Sequence, residues 1–247
     1  MNPLPPPDPS RGLFETLLVA EGRPVELDAH LDRLAASMRE VFGAELPDSI
    51  RADAEREASG LELGRLRIDV APGADGILVH SVAAKRIDPE FSFPERGDAL
   101  RSVTAPGWSG AHKWADRGWL EEIEAELGEE VPLIVDADGQ VLEAGRANVF
   151  AVVDGGLLTP PADERILPGT ARAATIEIAG ELGVPVAERG LTLADLRAAD
   201  GVFLTSSVRG LRPARSLDGA DLPQPGELVA LLASQLYSRW HGAAAQP

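Results

Sequence analysis

The chain of 247 residues sets 23 Lys and Arg against 40 Asp and Glu, a formal charge of −17. Such a field repels nucleic-acid phosphates and acidic lipid, so neither nucleic acid nor a membrane is expected as a partner. No cysteine is present, which removes disulfides, thiolate catalysis and cysteine metal sites; four scattered histidines, His30, His80, His112 and His241, suggest no metal centre.

With 44% hydrophobic residues the chain can fill one large core or two moderate ones. Neither a signal-peptide core nor an apolar run of about 18 residues occurs, and a soluble cytoplasmic protein is expected. Five prolines in the first ten residues predict an extended, frayed tail. Residues 13–20 form an apolar branched run suited to a buried strand, turned by Glu21-Gly22-Arg23-Pro24. Asp28 is the expected N-cap of a helix to Phe42, whose apolar positions Leu31, Leu34, Ala35, Met38 and Phe42 recur at helical spacing before Gly43. A second helix is predicted over 49–59, then strands over 64–71 and 76–84.

Residues 85–97, rich in Pro and charge, read as a connection. Beyond it the pattern predicts a strand at 100–104, a Gly-Trp-Ser-Gly loop and a helix over 114–127. Strands at 132–136 and 140–142 flank Ala137-Asp138-Gly139, and strands at 148–153 and 157–159 flank the hairpin signal Asp154-Gly155. A helix over 169–182, a strand at 184–188, a short helix at 193–198, a strand at 201–205 and a helix over 226–240 complete the chain.

Four segments carry chemistry. Leu167-Pro168-Gly169-Thr170-Ala171-Arg172 delivers the chain into a helix whose first amides are unpaired, either a plain helix start or an anion site. Thr205-Ser206-Ser207 ends an apolar strand, followed by Arg209 and Arg212; it suits an anionic group or simple loop chemistry. Lys113 lies beside Trp108 and Trp114, and a partly desolvated lysine becomes a nucleophile. Glu143 ends a strand and is either a site carboxylate or a surface partner of Arg146.

Taken in order, these segments resemble the fold-type IV pyridoxal-phosphate enzymes, the class IV aminotransferases. The resemblance starts at Leu13-Phe14-Glu15-Thr16, passes through His30-Leu31-Asp32-Arg33-Leu34 and Lys113, and runs nearly unbroken from Val135 to Gly219. It implies an α/β chain with the D-amino-acid aminotransferase-like fold. A small α+β domain (residues 1–104) would precede a larger cofactor-binding domain (residues 105–247) with a β-barrel-like core. Pyridoxal 5'-phosphate would be carried by Lys113, with Glu143 on its ring nitrogen. Arg33, the amides of Thr170 and Ala171, and Ser207 would take the phosphate. His30 and Arg172 would brace the site.

Within the family, Lys113-Trp114-Ala115-Asp116-Arg117, with Gly118 where branched-chain transaminases carry Tyr, is similar to the pattern of 4-amino-4-deoxychorismate lyase. Phe14-Glu15-Thr16-Leu17 and the stretch from Ser207 to Pro213 are similar to it as well. The resemblance implies a lyase forming 4-aminobenzoate and pyruvate in folate synthesis. The alternative is a transaminase for branched-chain or D-amino acids. Thr16 would assist proton transfer, Arg209 and Arg67 would meet substrate carboxylates, and the chain would form a homodimer. Pro9-Ser10-Arg11-Gly12 departs from the family's aromatic-Gly-Asp-Gly approach to the first motif.

Overall fold

The computed structural model describes residues 3–94 and 96–242. Its first unit contains β1 (Leu13–Ala20), β2 (Arg23–Pro24), α1 (Leu27–Phe42), α2 (Ser49–Ala58), β3 (Leu63–Pro72) and β4 (Leu78–Arg86). These strands form an antiparallel sheet in the order β2-β1-β3-β4. Period-2 alternation turns Leu66, Ile68 and Val70 of β3 towards the helices, where they pack with Leu31, Leu34, Met38 and Ile50. Each large side chain buried in this way is worth about 1.5–3 kcal/mol. Strand β1 is buried on both faces: Leu13, Leu17 and Val19 join the helix-covered core, and Leu18 joins the core of the second unit. Helix α1 starts one residue before the expected cap. Glu26, at φ 53°, occupies the cap position without a side-chain hydrogen bond, and Asp28 sits in the first turn, where it complements the dipole. Gly43 ends the helix at φ 62°, as its position suggested.

The second unit comprises β5 (Asp98–Thr104), α3 (Gly118–Leu127), β6 (Val131–Val135), β7 (Gln140–Ala144), β8 (Asn148–Val153), β9 (Gly156–Thr159), α4 (Thr170–Glu181), β10 (Val186–Glu188), β11 (Leu191–Thr192), α5 (Leu193–Ala198), β12 (Gly201–Ser206), β13 (Gly210–Leu217), β14 (Ala220–Asp221) and α6 (Glu227–His241). The main path of the sheet runs β10-β9-β8-β12-β13-β5-β6-β7-β11, with β14 on β13. The sheet curls until β7 and β8 meet, where Ala144 and Ala147 exchange backbone hydrogen bonds of 2.8 and 2.9 Å. That contact closes the barrel-like core. Val149, Ala151, Val202 and Leu204 fill its interior. The alternate residues Phe150 and Phe203 stack at 4.9 Å on the outside, beneath α4 and α6.

Because β5 pairs with β6 and β13, the change from one sheet to the other falls between Arg86 and Asp98. Two further features depart from the sequence reading. Strand β13 is hidden in the sequence by Pro213, which is tolerated because pairing with β5 begins only at Ala214. The helix expected from residue 114 begins at Gly118, since Trp114 is held in a bridge to Leu13. Among the described residues, no helix is long and apolar enough to cross a membrane, and no group of three His, Asp or Glu side chains could hold a metal ion.

Candidate active site

A cavity of about 210 Å³ opens at the barrel, with Arg33 of α1 reaching its lining from the first unit. It gathers six of the expected residues: Arg33, Lys113, Glu143, Thr170, Ala171 and Ser207. Lys113 is fixed through its backbone. Phe14 donates its amide to the Lys113 carbonyl at 2.9 Å, and Ala115 donates to Gly12 at 2.9 Å. Gly12 must be glycine for this approach: it lies at φ +89°, and a Cβ would fall 2.2 Å from the Val70 carbonyl. Burial pulls the Lys113 ammonium down to about 7, and Arg117 adds to that, while Glu15 and Glu143 oppose it. Much of the amine is therefore unprotonated at neutral pH.

Glu143 projects from β7 and is 5% exposed. Trp108 Nε1 donates to its Oε1 at 2.9 Å, and the Leu167 amide donates to Oε2 at 3.2 Å. Burial pushes its carboxyl up to about 7; those donors and the nearby Arg117 and Lys113 offset only part of that. Such a carboxylate lacks a cationic partner, and a protonated ring nitrogen would supply one. Gly110 allows the packing, because a Cβ there would stand 2.5 Å from Arg165 O and 2.8 Å from Glu143 Oε1. Gly110→Ala is accordingly expected to cost about 1–3 kcal/mol of stability and to weaken cofactor binding, as thermal melts and cofactor titration would report.

At the other end of the cavity, Gly169 precedes α4 and no side chain caps the helix. The Thr170 and Ala171 amides open this uncapped helix, the kind of terminus that suits an anion. Arg33 is aimed beside it, donating Nη1 to Pro168 O at 2.8 Å and gripping Glu15 through Nε and Nη2 at 2.8 and 2.7 Å. Glu15 also accepts from His30 Nδ1 at 2.7 Å, and His30 Nε2 faces the Thr170 hydroxyl at 3.1 Å. Burial alone would push Glu15 up, but Arg33 and His30 outweigh it and hold the carboxyl well below the usual carboxylate range. Burial also keeps His30 neutral, so its Nε2 accepts from Thr170. Glu15 thereby orients both Arg33 and the start of α4. In the sequence it reads only as part of a motif, although a carboxylate sharing the core face of Leu13 and Leu17 is a usable signal.

The hydroxyls at the end of β12 divide their tasks. Ser207 donates to the Thr16 carbonyl at 2.7 Å, tying the barrel to β1. The Thr205 hydroxyl lines the cavity, buried and without a hydrogen-bond partner, as expected of a group reserved for a ligand. Uncapped amides, an oriented arginine and an orphaned hydroxyl at one end, with a buried carboxylate and a depressed lysine, fit pyridoxal phosphate as the bound group.

Thr16, Arg67 and Arg209 do not line this cavity. Arg67 is bound to Asp69, with its Nη2 at 2.6 Å from Oδ1, and stacks on Phe14. Arg209 lies 3.9 Å from Asp98 and over the Phe91 ring. Arg172, also outside the cavity lining, is bonded to Pro160 O and Glu188. The proline segment forms a wall instead of a frayed tail. Residues 4–7 line the cavity, Leu4 donates to Pro106 O at 2.7 Å, and its side chain packs with Trp108 and Trp119.

Known proteins share this arrangement. The amino-transferase class IV family model matches residues 12–217. The bifunctional aminodeoxychorismate lyase / D-amino acid transaminase of Mycobacterium tuberculosis is 30% identical over 86% of this chain and 84% of its own length. Among solved structures, 4-amino-4-deoxychorismate lyase from Pseudomonas aeruginosa superposes with a TM-score of 0.81 at 27% identity, covering 94% of this chain and 92% of that one. The PLP-bound form of a hypothetical aminotransferase from Mycobacterium tuberculosis gives 0.83 at 25% identity, covering 99% of this chain and 95% of that one. The chain belongs to the class IV aminotransferases and is a pyridoxal-phosphate enzyme with the fold-type IV architecture.

Proposed function

We propose that this enzyme is a lyase that converts 4-amino-4-deoxychorismate to 4-aminobenzoate and pyruvate. The observation that carries the reading is the segment after the lysine. Gly118 opens α3, and Asp116 and Arg117 line the cavity beside Lys113, so this wall presents a cation and no tyrosine. The likeness to a relative named for both activities supports the reading across most of the chain.

The cofactor, when bound, supplies an electron sink for the substrate carbon that carries nitrogen. The remaining work falls to the chain's own groups. Glu143 holds a proton at the ring nitrogen. Arg33 and the first amides of α4 hold the phosphate. The Lys113 amine would take the proton from the nitrogen-bearing ring carbon. The adjacent carbon–oxygen bond then breaks, the ring becomes aromatic, and the enolpyruvyl group leaves as pyruvate after gaining a proton at its methylene carbon. The indoles of Trp108 and Trp119 and residues 4–7 give the pocket an apolar wall that suits a cyclic substrate.

The test is incubation of cofactor-loaded enzyme with aminodeoxychorismate. Formation of 4-aminobenzoate and pyruvate in equal amounts, absent with Lys113→Ala, is expected. The second reading, a transaminase for D- or branched-chain amino acids, draws on the other half of the relative's name. No 4-aminobenzoate above the Lys113→Ala control, together with keto-acid release from an amino-acid panel, would replace the lyase with it.

A further inference from the structure

From the geometry we infer that Arg117 is the residue that binds a substrate carboxylate in this cavity. The inference specifies one contact of the activity proposed above and rests on that reading for the identity of the acid. Among the described residues, three arginines line the cavity: Arg33, Arg117 and Arg146. Two are already engaged. Arg33 is committed to Glu15 and Pro168 O. Arg146 grips Glu124, with Nε at 2.8 Å from Oε1 and Nη2 at 2.6 Å from Oε2.

Arg117 differs. Its one hydrogen bond runs from Nε to Trp114 O at 3.3 Å, and among the described residues no carboxylate lies within ion-pair distance of it. Both Nη nitrogens are left without a protein acceptor.

The guanidinium is nevertheless positioned. Its centre lies 4.8 Å over the Phe14 ring, which also carries Lys113 Nζ at 5.0 Å and Arg67 at 4.0 Å. Stacking on an aromatic face orients the planar fork while consuming none of its N–H donors. The residue sits four positions after Lys113 and immediately before α3, so the backbone that fixes the lysine also fixes this cation. Burial, helped by Arg146, draws Arg117 down to about 10, and it stays charged at neutral pH. A half-buried, oriented guanidinium with free Nη donors beside the reacting amine matches a carboxylate in two-pronged geometry. Arg67 and Arg209 do not offer this, since each faces an aspartate outside the cavity.

The experiment compares binding of 4-aminobenzoate and 4-aminobenzamide, which differ only in the charged group, to cofactor-loaded enzyme. Calorimetry or quenching of tryptophan fluorescence gives the affinities. The wild type is expected to prefer the acid by roughly 10- to 100-fold. Arg117→Gln should erase the preference while keeping the visible cofactor band and the melting temperature, and Arg117→Lys should restore part of it. In turnover, Arg117→Gln should raise KM more than it lowers kcat. An unchanged preference in Arg117→Gln overturns the inference, as does equal wild-type affinity for acid and amide. Loss of cofactor in place of acid discrimination also overturns it, and reassigns Arg117 to the cofactor. Failure of the underlying reading looks different: the acid preference depends on Arg117, yet no 4-aminobenzoate forms from aminodeoxychorismate.

Discussion

Replacing Lys113 with alanine is expected to lower turnover by about 10⁴-fold or more and to abolish covalent loading of the cofactor, while the fold persists. The fold persists because the backbone at 113, not the side chain, carries the hydrogen bonds to Phe14 and, through Ala115, to Gly12. The chemistry would be lost because, in the proposed reaction, the amine is at once the attachment point and the proton carrier. Its reactivity follows from its surroundings. An ordinary lysine titrates near 10.5 and is almost wholly protonated at neutral pH; burial and Arg117 bring Lys113 to about 7. Only the unprotonated amine attacks an aldehyde, so the rate of cofactor uptake by cofactor-free enzyme should rise with pH through about 7 and then level off. Stopped-flow absorbance measures this directly. A rate that keeps climbing towards pH 10 would mean that the amine is solvated, and turnover retained by Lys113→Ala would remove this residue from the mechanism.

How much of this could be read from the chain depended on how local each cause was. The strand over 13–20, the hairpin at Asp154-Gly155 and the helix over 193–198 are set by short-range pattern, and they stand where expected. The residues just after Lys113 read as helix because their partner, the start of β1, is a hundred residues away. Strand β13 escapes a local reading because Pro213 is a strand breaker in isolation, and only its place before the β5 pairing makes it harmless. The residues that line the cavity were legible as a set, since their order and spacing carry the signal. Which arginine stands free in it was not. Arg67 and Arg209 look available in sequence, but Arg67 is paired with Asp69, and Arg209 lies outside the cavity over Phe91, beside an Asp98 that is bound to Arg212. Arg117 becomes conspicuous only when the folded cavity shows which arginines already have partners.

Glu143→Gln should separate stability from function. In the cofactor-free protein, burial raises this carboxyl from 4.5 to about 7. A carboxyl whose folded value is raised stabilises the fold fully below its unfolded value, and that contribution disappears as pH rises from 4.5 through about 7. At about 1.4 kcal/mol per tenfold, the loss is about 3 kcal/mol. Glutamine does not titrate, but its NH2 cannot accept a hydrogen bond, so one of the two donors on this carboxyl, Trp108 Nε1 or the Leu167 amide, loses its acceptor. The variant should therefore be less stable than the wild type by about 1–3 kcal/mol below pH 4.5 and gain about 3 kcal/mol on it between there and pH 7, equivalent to roughly 6–12 °C in melting temperature. With cofactor bound that gain should vanish. On the proposed reading, the carboxylate that was costly in the empty cavity would face a protonated ring nitrogen, and its charge would keep that proton in place. A neutral amide at this position cannot do so, and turnover should fall on the order of 10²–10³-fold, the range for removing one preorganised electrostatic contact. Melting curves with and without pyridoxal phosphate at pH 5 and pH 8, read beside the rates, form the test. A stability difference between the two proteins that is the same at pH 5 and pH 8 without cofactor would show that Glu143 is solvated. Wild-type rates in the variant would show that the ring nitrogen has another partner.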